Sequence, residues 1–357
     1  MRIILVGGSG NIATAVLRNL AVSHPDWELV GLCRRIPPQV PPYNRASWHS
    51  VDVADPDVTL RLVELFTGAD AVVNFAWGFQ PTRNAAYLHR VGPGAVRSIV
   101  AAVAQAQVGQ LVQLSSVGAY RAAEHPGQRV DETWPSTGMP TSLYSRHKAE
   151  AEHILDDFER RSNLTVVTRM RPGLVMQRAA GGSLARYGLP GYLPASLLRL
   201  LPVVPVGQRL VIPIVHADDV AAAIVTSLER RAGGAFNLAA EPGVTGKDIA
   251  AILRAWSVSV PPPVLHFLVQ LSWRLRLQRI DAGWLDMAFA VPLLDCTRAN
   301  SVLDWRPAVD ARVALIEAIS GMTGGVGAPS PVLRRRTLGN QLTDLIRRGP
   351  VTDREVP

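Results

Sequence analysis

The sequence predicts an α/β fold, a doubly wound parallel sheet with a smaller C-terminal lobe. Three observations predict it. Short apolar runs alternate with helical patterns through the first half of the chain. A glycine-rich turn joins the first apolar run to the first helical pattern. After Pro172 the composition shifts, to Gly-, Pro- and Leu-rich sequence at 178–213 and Trp-, Pro- and Leu-rich sequence at 256–295. With 357 residues, 48% of them hydrophobic and 18% charged, the chain is long and apolar enough for a full core.

The elements follow in order. "RIILV" (2–6) reads as a buried strand and 11–23 as a helix. "ELVGLC" (28–33) is a second strand, "ASWHSVDV" (46–53) a third, and 58–66 a helix. "DAVVNFA" (70–76) is a fourth strand, followed by an alanine-rich helical region from about 83 to 107. "QLVQLSS" (110–116) is the fifth strand, 142–161 a charged helix, and "LTVVTRMRP" (164–172) the sixth strand. Such alternation implies right-handed crossovers and a parallel sheet. Further on, 234–240 reads as a strand, and 247–256 and 311–322 as helices. From Thr323 the sequence suggests a linker and basic tail.

"VGGSGNIA" (6–13) stands between a strand and a helix, the context a dinucleotide turn needs. Gly7 permits the tight turn, and Gly10 lets the backbone approach a pyrophosphate at the helix N-terminus, beside Asn11 and Ile12. Ala13 takes the third small-residue place. The fold class is therefore Rossmann-type. The predicted division is a dinucleotide-binding core at 1–177, a mainly substrate-binding lobe at 178–322 with segments returning to the core, and a flexible basic tail at 323–357.

The end of the second strand selects the cofactor. An acidic residue there would accept bonds from the ribose hydroxyls. This chain has Arg34 and Arg35, which suit the 2′-phosphate of NADP; NAD is the alternative. Asp52, with Val53 beside it, is placed for the adenine amine; a turn-capping role is the competing reading.

Thirty-seven residues are basic, yet only Lys148 and Lys247 are lysines. Lys148 follows Tyr144 by four, so the two share one helix face. Random placement would give roughly 0.03 such pairs. A nearby ammonium favours the phenolate and lowers the phenol's pKa. Ser116, with Ser115 as competitor, ends the fifth strand, where doubly wound sheets place ligands. A serine donor, a tyrosine acid/base and a lysine partner point to hydride-transfer chemistry at a carbonyl or hydroxyl.

The ordered set resembles the extended short-chain dehydrogenase/reductases of the NAD-dependent epimerase/dehydratase family over about 1–320. "GGSGNIA", "VDVAD", "NFAW" (74–77), "SSVGAY" (115–120), "YSRHK" (144–148), "RPGLV" (171–175), "VHADDVAAAI" (215–224), "FNLAA" (236–240) and "LDCTRANSVLDWRP" (294–307) carry the likeness. The resemblance selects Ser116 over Ser115. It implies that Phe75, Ala76 and Trp77 line the cofactor, and that Pro172 and Gly173 hold the nicotinamide carboxamide. It also implies that Tyr144 and Lys148 touch the nicotinamide ribose. Two departures stand out. Val91 occupies the place of a proton-relay asparagine in "VGPG" (91–94), and Pro93 is expected to distort the helix. No Arg-Asp pair precedes "VHADD", and the lobe is very apolar, which argues against a sugar nucleotide.

Other classes are weighed against this reading. The +8 formal charge is almost all arginine without a long basic-aromatic run, so nucleic acid is not implied. Cys33 and Cys296 offer neither metal spacing nor a disulfide framework, and no metal is expected. No signal peptide or convincing membrane span is read, so a cytoplasmic location is expected. His216 is not spaced as a metal ligand; Asp218 is expected to cap a helix. Phe79 is a candidate for the substrate side, Trp256, Trp273 and Trp284 are expected in the lobe core, and family habit favours a homodimer. The expected function is an NADP-preferring oxidoreductase acting on a small-molecule carbonyl or hydroxyl. Alternatives are a nucleotide-sugar epimerase or dehydratase with tightly held NAD, a non-catalytic dinucleotide sensor, and a membrane-surface protein using 258–273 and the tail.

Overall fold

A computed structural model describes residues 1–78, 83–161, 164–189, 193–205 and 210–335. The strands in chain order are β1 (Arg2–Val6), β2 (Glu28–Cys33), β3 (Ser47–Ser50), β4 (Ala71–Asn74), β5 (Gln110–Leu114), β6 (Arg129–Val130) and β7 (Val166–Pro172). They continue as β8 (Leu174–Met176), β9 (Val203–Val204), β10 (Val211–His216), β11 (Gly234–Leu238), β12 (Ala240–Thr245), β13 (Trp256–Ser257) and β14 (Leu293–Leu294). The helices are α1 (Asn11–Ser23), α2 (Val58–Phe66), α3 (Ala85–His89), α4 (Ala95–Gln105), α5 (Leu143–Arg161) and α6 (Gly181–Gly188). After them come α7 (Ala217–Glu229), α8 (Gly246–Leu253), α9 (Pro262–Arg274), α10 (Ala282–Ala290), α11 (Thr297–Leu303) and α12 (Ala311–Thr323).

Seven strands form one parallel sheet in the order β11-β7-β5-β4-β1-β2-β3. It is covered on both faces because its strands alternate between two cores. Ile3 and Leu5 pack with Leu17 and Leu20 of α1 and Ile224 of α7. Ile4 and Val6 pack on the other face with Leu62 of α2, Ile99 of α4 and Leu155 of α5. Each such fully buried side chain contributes about 1.5–3 kcal/mol. A smaller sheet, β12-β10-β8, packs with α12 to begin the second lobe.

Register decides where the site lies. Val6 pairs with Leu32 and Asn74, Leu114 with Met170, and Pro172 with Leu238. The segments beginning at Gly7, Phe75, Ser115 and Gly173 therefore leave the sheet along one carboxyl edge, where parallel sheets hold ligands.

Three expectations change. The third strand is only Ser47–Ser50, because Asp52 folds a turn with its carboxylate accepting from Ala54 N at 3.0 Å. The helical region at 83–107 is broken into α3, a π turn at Arg90–Gly94 and α4. Pro93 brings no N–H to that turn, and Gly92 adopts φ −96°, ψ −105°. The segment expected to begin a flexible tail is docked as far as residue 335. Gly182 N donates to Val326 O (2.8 Å), Ser330 Oγ donates to Ser9 O (2.7 Å), and Ser330 and Leu333 are buried. Leu333 supplies the apolar anchor that a free tail would lack. Phe79 and residues 336–357 lie outside the described residues.

Candidate active site

The glycine turn opens the site. Gly7 has φ +76°, and a Cβ there would stand 2.7 Å from Ala76 N, so only glycine lets the β1 and β4 ends approach. Gly7 N donates to Leu32 O (2.8 Å), and Gly10 N to Gly7 O (3.0 Å). Gly10 caps α1 without a side-chain bond, and the first turn of α1 holds no acidic residue. A helix start with no capping side chain and no acidic residue fits a pyrophosphate, whose charge the helix N-terminus favours. Asn11 faces the second lobe: its side-chain amide donates to Val175 O (3.4 Å), and Gln177 Nε2 donates to Asn11 O (2.9 Å) and Oδ1 (2.5 Å). Ile12 packs against the core.

Beyond β2, Arg34 Nη1 donates to Tyr87 Oη at 2.8 Å, and the Arg90 guanidinium carbon lies 6.0 Å from the Tyr87 ring. Arg35 is exposed. Arg34 and Arg90 thus both approach one phenol. Asp52 lies close enough to Tyr87 to oppose its ionisation, and Val53 beside it is buried.

The other half of the site hangs on β5 and α5. Ser116 Oγ accepts from Gly118 N (3.0 Å) and lies close enough to the Tyr144 phenol to favour its ionised form. Ser115 faces elsewhere, donating from Oγ to Glu152 Oε1 at 2.5 Å. A Cβ at Gly118 would meet Tyr144 Cε1 at 2.9 Å, so this glycine admits the ring. Trp77 meets Tyr144 edge-on (centroids 6.2 Å, 81°), and Trp284 of α10 lies tilted against it (5.0 Å, 32°). Lys148 Nζ sits 3.6 Å over the Trp77 ring, 5.9 Å from the Tyr144 ring centre, and donates to Leu114 O at 2.8 Å.

This packing sets the protonation states. Burial pushes the Tyr144 phenol up to about 12, against the opposing pull of the Ser116 hydroxyl. Burial also drives Lys148 down to about 7, opposed by the Glu152 charge. The expectation that Lys148 lowers the phenol's pKa is not met. Both groups are desolvated, and the lysine points at Trp77 and a carbonyl. The phenol therefore keeps its proton at neutral pH.

Behind Lys148 lies a network that sequence reasoning missed. Glu152 accepts from Arg171 Nε and Nη2, each at 2.9 Å, and from Arg169 Nη1 at 3.1 Å. Arg171 also donates to Tyr120 Oη (3.0 Å), which donates to Asn237 Oδ1 (2.7 Å). The arginines hold the Glu152 carboxyl down at about 2 despite its burial. Its signal was present, since Glu152 follows Lys148 by four and Tyr144 by eight on one helix face. Trp284 carried no such signal.

Other expectations are placed as follows. Gly173 N donates to Leu238 O at 2.9 Å, and its missing Cβ leaves room for Pro213. Phe75 N donates to Val6 O (2.8 Å), and Ala76 N to Asn74 Oδ1 (3.0 Å). Val91 is buried and apolar where a relay residue was sought. His216, not Asp218, caps α7: its Nδ1 accepts from Asp218 N at 3.2 Å, while Asp218 pairs with Arg18 at 2.5 Å. Trp273 stacks under the Arg83 guanidinium, and Trp256 is exposed rather than in the lobe core. Among the described residues no cluster of His, Cys, Asp and Glu could hold a metal ion, and no helix is long and apolar enough to cross a membrane.

Comparison with known proteins follows this geometry. The sequence model of the NAD dependent epimerase/dehydratase family matches residues 3–239. No curated protein matches the chain. Among solved structures, UDP-glucose 4-epimerase from Stenotrophomonas maltophila, with bound NAD and formylated UDP-arabinopyranose, superposes with TM-score 0.68 at 20% identity, covering 91% of this chain and 98% of that one. The Thermus thermophilus UDP-glucose 4-epimerase complex with NAD gives 0.67 at 19%, covering 91% and 100%. WbmG from Bordetella bronchiseptica, in complex with NAD, gives 0.65 at 18%, covering 99% and 96%. At these identities the likeness is one of fold.

Proposed function

The chain belongs to the NAD dependent epimerase/dehydratase family, and on that premise we propose that it is an NADP-preferring oxidoreductase that reduces a small-molecule carbonyl, with Tyr144 as proton donor. The observation that carries this reading is the placement of Ser116 beside the half-buried Tyr144 phenol, with Lys148 one helical turn on.

The residues present fit the cofactor. Gly7, Gly10, Asn11 and Ile12 would hold the pyrophosphate, Arg34 and Arg35 the 2′-phosphate, and Asp52 and Val53 the adenine. Phe75, Ala76 and Trp77 would line the site, with Tyr144 and Lys148 at the ribose and Pro172 and Gly173 at the carboxamide. The bound nicotinamide supplies the hydride. Tyr144 then gives its phenolic proton to the oxygen that gains charge, while Ser116 donates a hydrogen bond to the same oxygen. With its pKa near 12, Tyr144 is in the donating form throughout the neutral range. Lys148, near 7, is held by Leu114 O and over Trp77, where it would meet the nicotinamide ribose rather than the phenolate. Trp77 and Trp284 exclude water around the phenol.

Tyr144→Phe is expected to abolish turnover and to spare dinucleotide binding, measured by fluorescence titration and a screen of carbonyl compounds and UDP-sugars. Full activity in this variant sinks the mechanism. Replacing Arg34 and Arg35 by Ser should weaken NADPH about tenfold or more and leave NADH unchanged; equal losses remove the 2′-phosphate reading. A UDP-sugar epimer formed without net change of cofactor absorbance would replace reduction by returned hydride.

A further inference from the structure

Helix α9 wears its apolar stripe on the outside. Val264, Phe267, Leu268, Leu271 and Leu275 recur at the helical period, and all are exposed, Phe267 by 63% and Leu275 by 60%. Leu265, on the flank of the stripe, is the buried residue of this helix. A surface helix of a globular protein is normally turned the other way.

The same lobe carries a second exposed apolar strip. Trp256 pairs with Val203, and Trp256 N donates to Pro202 O (2.9 Å), tying two lobe segments together. Trp256 is 80% exposed and Leu200 74%, with Leu201, Val203 and Val258 also exposed.

Charge is segregated in the same segments. Residues 160–217 and 249–280 contain no Asp or Glu, while Arg254, Arg274, Arg276 and Arg279 fall within the second stretch. Arg274 and Arg276 are exposed at the end of the α9 stripe. The carboxylate facing α9 comes from α10, where Asp286 lies 3.7 Å from His266. The whole chain is basic, with a pI of about 10.1.

From the outward apolar stripe of α9, the exposed Trp256 and the arginine-bearing stretch 249–280 that contains no Asp or Glu, we infer that this part of the lobe seats the protein on an anionic phospholipid surface without spanning it. Apolar side chains enter the headgroup boundary, tryptophan sits at its level, and the arginines pair with lipid phosphates. Helix α9 packs on α10, whose Trp284 lies against Tyr144, so the seated face and the candidate site belong to adjoining helices.

The test is co-sedimentation of the full chain with vesicles of phosphatidylglycerol and phosphatidylcholine in equal parts, or of phosphatidylcholine alone. The mixed vesicles should bind it, and pure phosphatidylcholine about tenfold more weakly. Raising salt should weaken binding. Phe267→Asp with Leu271→Asp, both at exposed positions, should cut binding about tenfold or more with an unchanged Tm. Arg274→Glu with Arg276→Glu should erase the preference for anionic lipid. Absence of binding to either vesicle overturns the inference. So does unchanged binding by the Asp double variant, which would assign binding to another region. A wild-type dimer that the Asp double variant converts to monomer in sedimentation velocity also overturns it, by assigning the face to a second copy.

Discussion

Replacing Lys148 by Met removes an ionisable group from the protein interior, and the resulting change in stability should depend on pH. Lys148 is 3% exposed, and burial outweighs the Glu152 attraction, taking its pKa from 10.5 to about 7. At about 1.4 kcal/mol per pH unit, that fall corresponds to roughly 5 kcal/mol between the charged and neutral forms of the folded protein. Proton counting gives the sign. Between about pH 7 and 10.5 the unfolded chain holds a proton on this lysine that the folded chain has released, so wild-type stability from this residue rises with pH. Below about 7 both states are protonated and the burial penalty is complete. Above about 10.5 both are neutral and the penalty is gone.

Methionine has similar length and does not titrate. Its lost bond to Leu114 O and lost contact with Trp77 shift the comparison by a constant. Urea unfolding of both proteins without dinucleotide, at about pH 6, 7.5, 9 and 10, reads the difference. The advantage of Lys148→Met should be larger at about pH 6 than at about pH 10 by roughly 4 kcal/mol. A difference constant to within about 1 kcal/mol over that range refutes the burial argument, and with it a lysine poised near neutrality.

Two further substitutions test the frame. Glu152→Gln leaves Arg169 and Arg171 buried against a neutral amide and should cost about 3–5 kcal/mol near neutral pH, read by thermal unfolding. Because the Glu152 carboxyl is depressed from 4.5 to about 2, its contribution is complete above about pH 4.5 and lost as pH falls through about 2, so wild type and variant should converge in acid. Gly7→Ala forces a side chain into φ +76° against Ala76 N and should cost about 1–3 kcal/mol and weaken dinucleotide binding by calorimetry. Gly10→Ala, whose nearest neighbour is Gly7 O at 3.3 Å, should be milder.

Much of the core was legible because period-2 and period-3.6 patterns are local. Strand and helix at 2–6 and 58–66 fall where the pattern puts them. The site was legible in part. The Tyr144–Lys148 spacing fixes one helix face, but no local pattern says that Lys148 will stack on Trp77, which reaches it from β4. Ser115 and Ser116 are indistinguishable as letters; only the Glu152 carboxylate and the Tyr144 ring separate them. Trp284 was read as lobe core because apolar residues in a helix look alike until the helix is docked. The stretch 323–335 has the composition of a linker, yet one leucine and one serine, Leu333 and Ser330, anchor it.

The bond from Ser330 to Ser9 spans 321 residues. The turn that follows strand β1 is thus buttressed by residues made more than 300 positions after it. At about 5–20 residues per second, the glycine turn waits roughly 15–60 seconds for that support. A chain stopped before residue 330 can complete its central sheet and still lack this brace. The segment thus works as a late clasp on an earlier-made turn, and a fusion or cut between residues 325 and 335 would act at the glycine turn after β1 rather than at the periphery.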